Sequence, residues 1–181
     1  MDPFEITGKL KTKFPGAVLD VTEFRGQVSV HLDKASILDV CRFLHDDPEM
    51  DFDYLMDLCG VDYMGRAEPA QRFEVVYHLY SIARKHLLRL RARVPEEDAR
   101  VASLTPIWNG ANWHERECYD MFGIVFEGHP ELKRILLPED WQGFPLRKDY
   151  PVAGPGAEDE WPGFKEVLET SRKLKENDWQ K

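Results

Sequence analysis

The residues best placed to do chemistry in this chain lie in one short run, "WHERECYDMFG", residues 113 to 123. Its His114-Glu115 pair opens the HExxH pattern of zinc proteases, in which two histidines one helical turn apart hold the metal and the glutamate activates water. The position that should carry the second histidine is Cys118. A histidine and a cysteine at that spacing still share a helix face and both bind zinc, but no third ligand follows at short range. On a helical period Glu115 falls on an apolar stripe with Trp108, Ala111, Cys118 and Phe122, facing away from any open site. His31, His45, His78, His86 and His129 show no ligand spacing and read as structural. There is no nucleophile elbow, P-loop or GxGxxG, and paired carboxylates in so acidic a chain single out no acid and base. Catalysis by this chain alone has no visible apparatus.

The same run reads differently as a set of charges to be paired. A carboxylate in an apolar stripe is costly unless it is hydrogen-bonded or matched by a cation. Arg116 and Asp120, four residues apart, form an expected intrahelical pair. That leaves Glu115 and Glu117 to find cations elsewhere, in the later segment with Arg134, Arg147 and Lys148 or across an interface. The bland alternative is a solvated helix.

Those residues must be held by elements, which we expect to follow the order α-β-β-α-β-β-β before the charged helix. Residues 3 to 13 form a short amphipathic helix stopped by Pro15-Gly16. "AVLDVTEF" and "QVSVHL" flank Arg25-Gly26 as a hairpin. Asp33 caps a helix in which Ile37, Leu38, Cys41 and Leu44 recur at helical spacing until Asp47-Pro48. "YLMDLCGVDY" reads as a third strand. "RFEVVYHLYSI" is apolar on both faces, as an interior strand would be, and pairs across Ala83-Arg84-Lys85 with "HLLRLRARV". There Leu88, Leu90, Ala92 and Val94 alternate with Arg89, Arg91 and Arg93, a row that is more often a solvated face than a recognition stripe, although Arg is also favoured at polar protein interfaces and position alone does not decide. Thr105-Pro106 is an N-cap and first-turn pair for the charged helix, and Gly123 closes it. The expectation is an α+β domain over residues 1–137, a mixed sheet packed on one side by helices, followed by an extended C-terminal arm and charged tail over 138–181 that dock on partner subunits.

The arm follows from composition. Pro138 to Gly163 holds five prolines and four glycines among Trp141, Phe144, Tyr150 and Trp161. Regular structure is excluded there, and ordering such a stretch costs about 1 to 2 kcal/mol per residue, so its aromatics must dock, on this domain or on a partner. A charged helix-like tail is expected from Lys165 to Asn177.

The 181-residue chain carries 24 Lys and Arg against 33 Asp and Glu, a net charge of -9, which argues against nucleic acid as a partner. No apolar run nears the ~18 residues that cross a bilayer, and Met1 to Lys13 has neither signal-peptide nor transit-peptide character. Three scattered cysteines, Cys41, Cys59 and Cys118, fit a reducing, cytoplasmic compartment and cannot supply the four thiolates of a cysteine-only iron–sulfur cluster.

The run "ANWHERECYDMFGIVFEGHPELKRILLPEDWQGFPLRKDYPV" closely resembles the signature region of the thirty-kilodalton-type family, the C subunit of proton-pumping NADH:quinone oxidoreductase, respiratory complex I. The carriers are Glu115, Arg116, Glu117, Asp120, Phe122 and Gly123, then Gly128-His129-Pro130 and Arg134-Ile135-Leu136, then Pro145, Leu146, Arg147, Lys148, Asp149, Tyr150 and Pro151. "VDY", "VVYHLYSI" and "SLTPIW" extend the likeness over residues 20 to 152. The resemblance implies a stand-alone subunit in the peripheral arm, on the cytoplasmic face of the bacterial cell membrane, attached to the membrane only through the complex. It implies no cofactor in this chain, with FMN and iron–sulfur clusters on neighbours. The implied partners are the D subunit, similar to a hydrogenase large subunit, and the iron–sulfur B and I subunits. Its signature residues would serve structure and contacts between subunits. An equivalent subunit of a ferredoxin-dependent photosynthetic complex or of a membrane-bound hydrogenase would share these motifs.

Overall fold

A computed structural model describes residues 2–66, 71–152 and 169–170. Helix α1 (Pro3–Lys13) starts where a helix should: Asp2 accepts the Phe4 N–H, Glu5 reaches back to the Asp2 N–H, and Pro3 occupies the first turn. Strands β1 (Val18–Phe24) and β2 (Gln27–Leu32) form the expected hairpin around Arg25-Gly26. Helix α2 (Ile37–Asp46) begins later than expected. Asp33 makes no capping hydrogen bond and instead precedes a 3-10 turn at Lys34–Ser36, so the backbone enters the helix through a tightened turn.

Strands β3 (Tyr54–Asp62), β4 (Phe73–Ser81) and β5 (His86–Val94) complete a sheet of order β1-β2-β5-β4-β3. All neighbours are antiparallel except β2 and β5, which run parallel, so the sheet is mixed as expected. Period-two alternation decides the layers: Leu88, Leu90, Ala92 and Val94 are fully buried, while Arg89, Arg91 and Arg93 lie on the other face. Ile6 and Leu10 of α1, Val40 and Leu44 of α2 and Phe122 of the third helix join one continuous core with those strand residues. Helices α1, α2 and the third helix therefore cover the same face of the sheet. Two three-residue strands, β6 (Arg100–Ala102) and β7 (Val125–Glu127), add a parallel pair that the sequence pattern does not announce.

Helix α3 (Ala111–Phe122) lies over β3. Close approach is possible because Gly60 has no side chain: a Cβ there would sit 2.6 Å from the Phe122 ring and 3.0 Å from the Cys118 sulfur. Thr105 does not cap this helix. Its hydroxyl meets the Ser103 hydroxyl at 2.8 Å, residues 104–108 form a separate turn, and Gly110 takes the N-cap position. The tail over 165–177 lies outside the described residues apart from helical residues 169 and 170.

Candidate interface site

Helix α3 presents two buried acids five residues apart, and each has a different environment. Glu115 is fully buried and accepts from the Ser103 hydroxyl and the Leu104 N–H, both at 2.6 Å. Neither partner is a cation, which corrects the expectation that Glu115 must find one. Burial pushes its carboxyl up to about 7, against the pull of those two hydrogen bonds. Asp120 is equally buried but meets the Arg134 guanidinium at 2.7 Å. Its other oxygen accepts three successive backbone N–H groups, Ile135 at 3.0 Å, Leu136 at 2.8 Å and Leu137 at 2.9 Å. Burial works to raise its pKa, yet Arg134 and the three amides outweigh it and hold the group below the usual carboxylate range.

The expected Arg116–Asp120 pair does not form. Arg116 turns instead to the carbonyls of Lys133 and Arg134, at 3.1 and 3.0 Å. Four-residue spacing brings two side chains within reach, but a buried carboxylate takes the partner that also satisfies its second oxygen. Arg134 goes on to bond the carbonyls of Trp141 and Gly143, tying the start of the arm to the same helix. His129 accepts the Glu131 N–H on Nδ1 at 3.0 Å, and its Nε2 lies 3.2 Å from the Asn112 carbonyl, so the proton sits on Nε2.

The arm over residues 138–150 lies along its own domain. Leu146 N–H reaches the Met121 carbonyl, and Arg147 Nε donates to the Phe122 carbonyl at 2.7 Å while its guanidinium lies over the rings of Phe73 and Phe144. Gly123 permits this: its φ of +73° is left-handed, and a Cβ would stand 2.5 Å from Phe144 and 2.7 Å from Arg147. Lys148 N–H donates to Asp62 at 2.8 Å, and Tyr150 bonds the Gln142 carbonyl. Asp149 pairs at 2.6 Å with Arg72, which also grips buried Asp62 at 2.9 Å and Glu96 at 2.6 Å. Burial raises Asp62, but Arg72 and the amides of Lys148 and Met64 bring it down to about 2.

The structure thus gathers the signature residues from Glu115 to Tyr150 into one sector, with most of their polar atoms matched inside the chain. Glu117, Leu146 and Lys148 face solvent, and Pro145 is half-buried. Sequence reading gave no role to Arg72, Asp62, Ser103 or Glu74, although Asp62 and Ser103 lie within the family-like segments "VDY" and "SLTPIW"; each meets a partner at least ten residues away, and no local rule connects them. The arginine row is another correction: Arg91 and Arg93 clasp fully buried Glu74 at 2.7 and 2.9 Å, and the row is half-buried rather than solvated.

Glu115 is no open base for hydrolysis, since its oxygens are engaged and fully buried, and the Cys118 thiol is pushed up by burial against Gly60. Among the described residues no group of three His, Cys, Asp or Glu side chains is placed to hold a metal ion. Fold and site define a one-sided α+β domain strapped by its own C-terminal segment, with signature charges closed on one another. The chain belongs to the family described as the respiratory-chain NADH dehydrogenase 30 Kd subunit, which matches residues 30–156. It is 55% identical over 159 residues to the C subunit of NADH-quinone oxidoreductase from Roseiflexus castenholzii, covering 88% of each chain. It is 49% identical over 150 residues to the corresponding C subunit from Geobacter sulfurreducens, covering 83% of this chain and 90% of that one. The solved trypsin-resistant fragment (1-134) of Nqo5 overlays with a TM-score of 0.62 at 33% identity, covering 73% of this chain and all of the fragment. A chain of an archaeal membrane-bound sulfane sulfur reductase shares the fold, with a TM-score of 0.66 at 21% identity over 94% of this chain and 91% of that one.

Proposed function

We propose that this chain is a subunit of proton-translocating NADH:quinone oxidoreductase that takes no part in the redox chemistry and supports assembly of the quinone-reducing module. It binds no cofactor of its own in this reading; FMN and iron–sulfur clusters belong to neighbours. Its neighbours are the D subunit and the iron–sulfur B and I subunits, and it sits peripherally on the cytoplasmic face of the cell membrane. No helix among the described residues is long and apolar enough to cross a membrane, which fits attachment through the complex.

The observation that carries the reading is the closed state of the signature charges. Arg134, Asp120, Arg147, Asp62 and Arg72 hold residues 129–150 in one shape, and Glu117, Leu136, Leu146 and Lys148 face outward, as does Asp149 beyond its pair with Arg72. A rigid strap with a few outward groups is suited to rigid-body docking, because its ordering cost is met before association. A tagged chain recovered from membranes should bring down the other respiratory subunits. Glu117→Ala and Lys148→Ala together should lower their yield and quinone-dependent NADH oxidation in proportion. A full set of respiratory subunits and full activity in the double variant would remove these residues from the interface.

A further inference from the structure

Among the described residues no helix covers the second face of the sheet, and that face has a charge pattern of its own. Strand register places Cys59, Val76, Arg91, His31 and Asp20 in one row across β3, β4, β5, β2 and β1. Arg93 pairs across the sheet with Glu74 on one side of that row, and Arg89 with His78 on the other. Three guanidinium groups thus occupy the middle of the face, and among the described residues the carboxylate bonded to them is Glu74 alone. Among the described residues Arg89 has only neutral partners, His78, Ser29 and Gln27. The face's other acids, Asp20 and Asp57, stand at its margins on the two edge strands.

These arginines are held in place and only partly used. Arg93 lies flat over Tyr63, 3.8 Å from the ring centroid, with Nε 2.9 Å from Glu74. Among the described residues neither Nη of Arg93, nor Nη1 of Arg91, has a hydrogen-bonding partner, and both side chains keep part of their surface exposed. A fixed guanidinium fork with unused N–H groups is built for a carboxylate. Exposed Asp20 and half-exposed Asp57 at the margins would meet a flat anionic lipid surface first, whereas carboxylate side chains of a protein can reach in to the half-buried arginines between them.

We propose that the helix-free sheet face centred on Arg91 and Arg93 docks an acidic surface of a neighbouring protein subunit, whose carboxylates take the free guanidinium nitrogens. This rests on the reading that the chain works inside a larger assembly. Cys59 reports on it, being exposed on that face while Cys41 and Cys118 are buried. Maleimide labelling of Cys59 should be about tenfold or more slower in the purified complex than in the isolated chain. Equal rates would mean that the face stays open in the assembly and would overturn the proposal.

A pair of variants separates docking from folding. Glu74→Gln removes the buried acid and should leave the chain in the complex. Adding Arg93→Gln creates no unpaired buried charge, yet should release the chain at roughly half the salt concentration that releases Glu74→Gln alone. Equal salt tolerance of the two variants would contradict the proposal. So would an isolated chain that sediments with phosphatidylglycerol vesicles through Arg93 while Cys59 stays reactive in the complex, since the face would then belong to the membrane. A chain that recovers no respiratory subunits at all would instead defeat the assembly reading on which the proposal rests.

Discussion

Glu115 and Asp120 sit on the same helix at the same zero exposure, yet the carboxyl of one is pushed up to about 7 and that of the other is held below the usual carboxylate range. The difference lies in what each meets. Glu115 is answered by a hydroxyl and one amide, whereas Asp120 is answered by a guanidinium and three amides aimed at one oxygen. Burial alone would lift both. The comparison teaches that the strap beyond α3 is clamped by a full charge, while the β6–α3 junction is held by neutral hydrogen bonds that tolerate a proton.

The hardest way to break that contrast is to remove the charged clamp. Asp120→Ala strands Arg134 and three amides and should destabilise the isolated chain by about 4 kcal/mol, seen as a lower midpoint in urea. Residues 134–146 should then open to protease before the sheet unfolds. If the strap stays protected, Asp120 is not what holds it.

Next comes the second clamp. Arg72→Met keeps the aliphatic stem but leaves buried Asp62 without its cation, at a cost of about 3 kcal/mol near neutral pH. Asp62 is ionised in the folded protein down to about pH 2, below its unfolded value, so its contribution is present above pH ~4 and lost as pH falls toward 2. The parent should therefore lose its advantage over Arg72→Met in that acid window. An advantage that is constant with pH would show that the arginine acts by packing only.

Glu115 should give the opposite slope. Its folded pKa of about 7 lies above an unfolded value near 4.3, so the folded state holds the proton more tightly. That contribution is complete at low pH and fades between pH ~4 and 7, at up to about 1.4 kcal/mol per unit. Glu115→Gln keeps an acceptor for Leu104 and a donor for the Ser103 oxygen, so it should match the parent near pH 5. At pH 8 it should exceed the parent by about 2.5 kcal/mol. A parent curve that rises from pH 5 to 8 relative to the variant would reverse the assignment.

The smallest effect belongs to the outward groups. Lys148→Ala should change the stability of the isolated chain by less than about 0.5 kcal/mol, since its side chain makes no ion pair among the described residues. A larger loss by urea titration would place Lys148 among the internal clamps.

Much of the fold was legible because its signals are local. The hairpins at Arg25-Gly26 and Ala83-Lys85 show as breaks between alternating runs, and the bare and covered faces of β5 follow from Leu and Arg taken in turn. The short strands β6 and β7 were not legible, since three residues carry too little pattern and their pairing is parallel across a helix. Thr105-Pro106 misled in the same way: a good cap pair was captured by its neighbour Ser103. In the site, the motif residues were visible, but their partners were not. Arg116 and Asp120 have the right spacing to meet, and each found a better match in the strap.

The sequence by itself determined where chain elements begin and turn, which faces are apolar, and which family the chain joins, because those properties are written in neighbouring residues or in a run of them. Only the tertiary structure decided which charge answers which, since Asp62 meets Arg72 and Asp149 across stretches of chain that no local rule connects. Buried charges choose partners by how completely every oxygen and N–H is satisfied, and that depends on the whole packed surface around them.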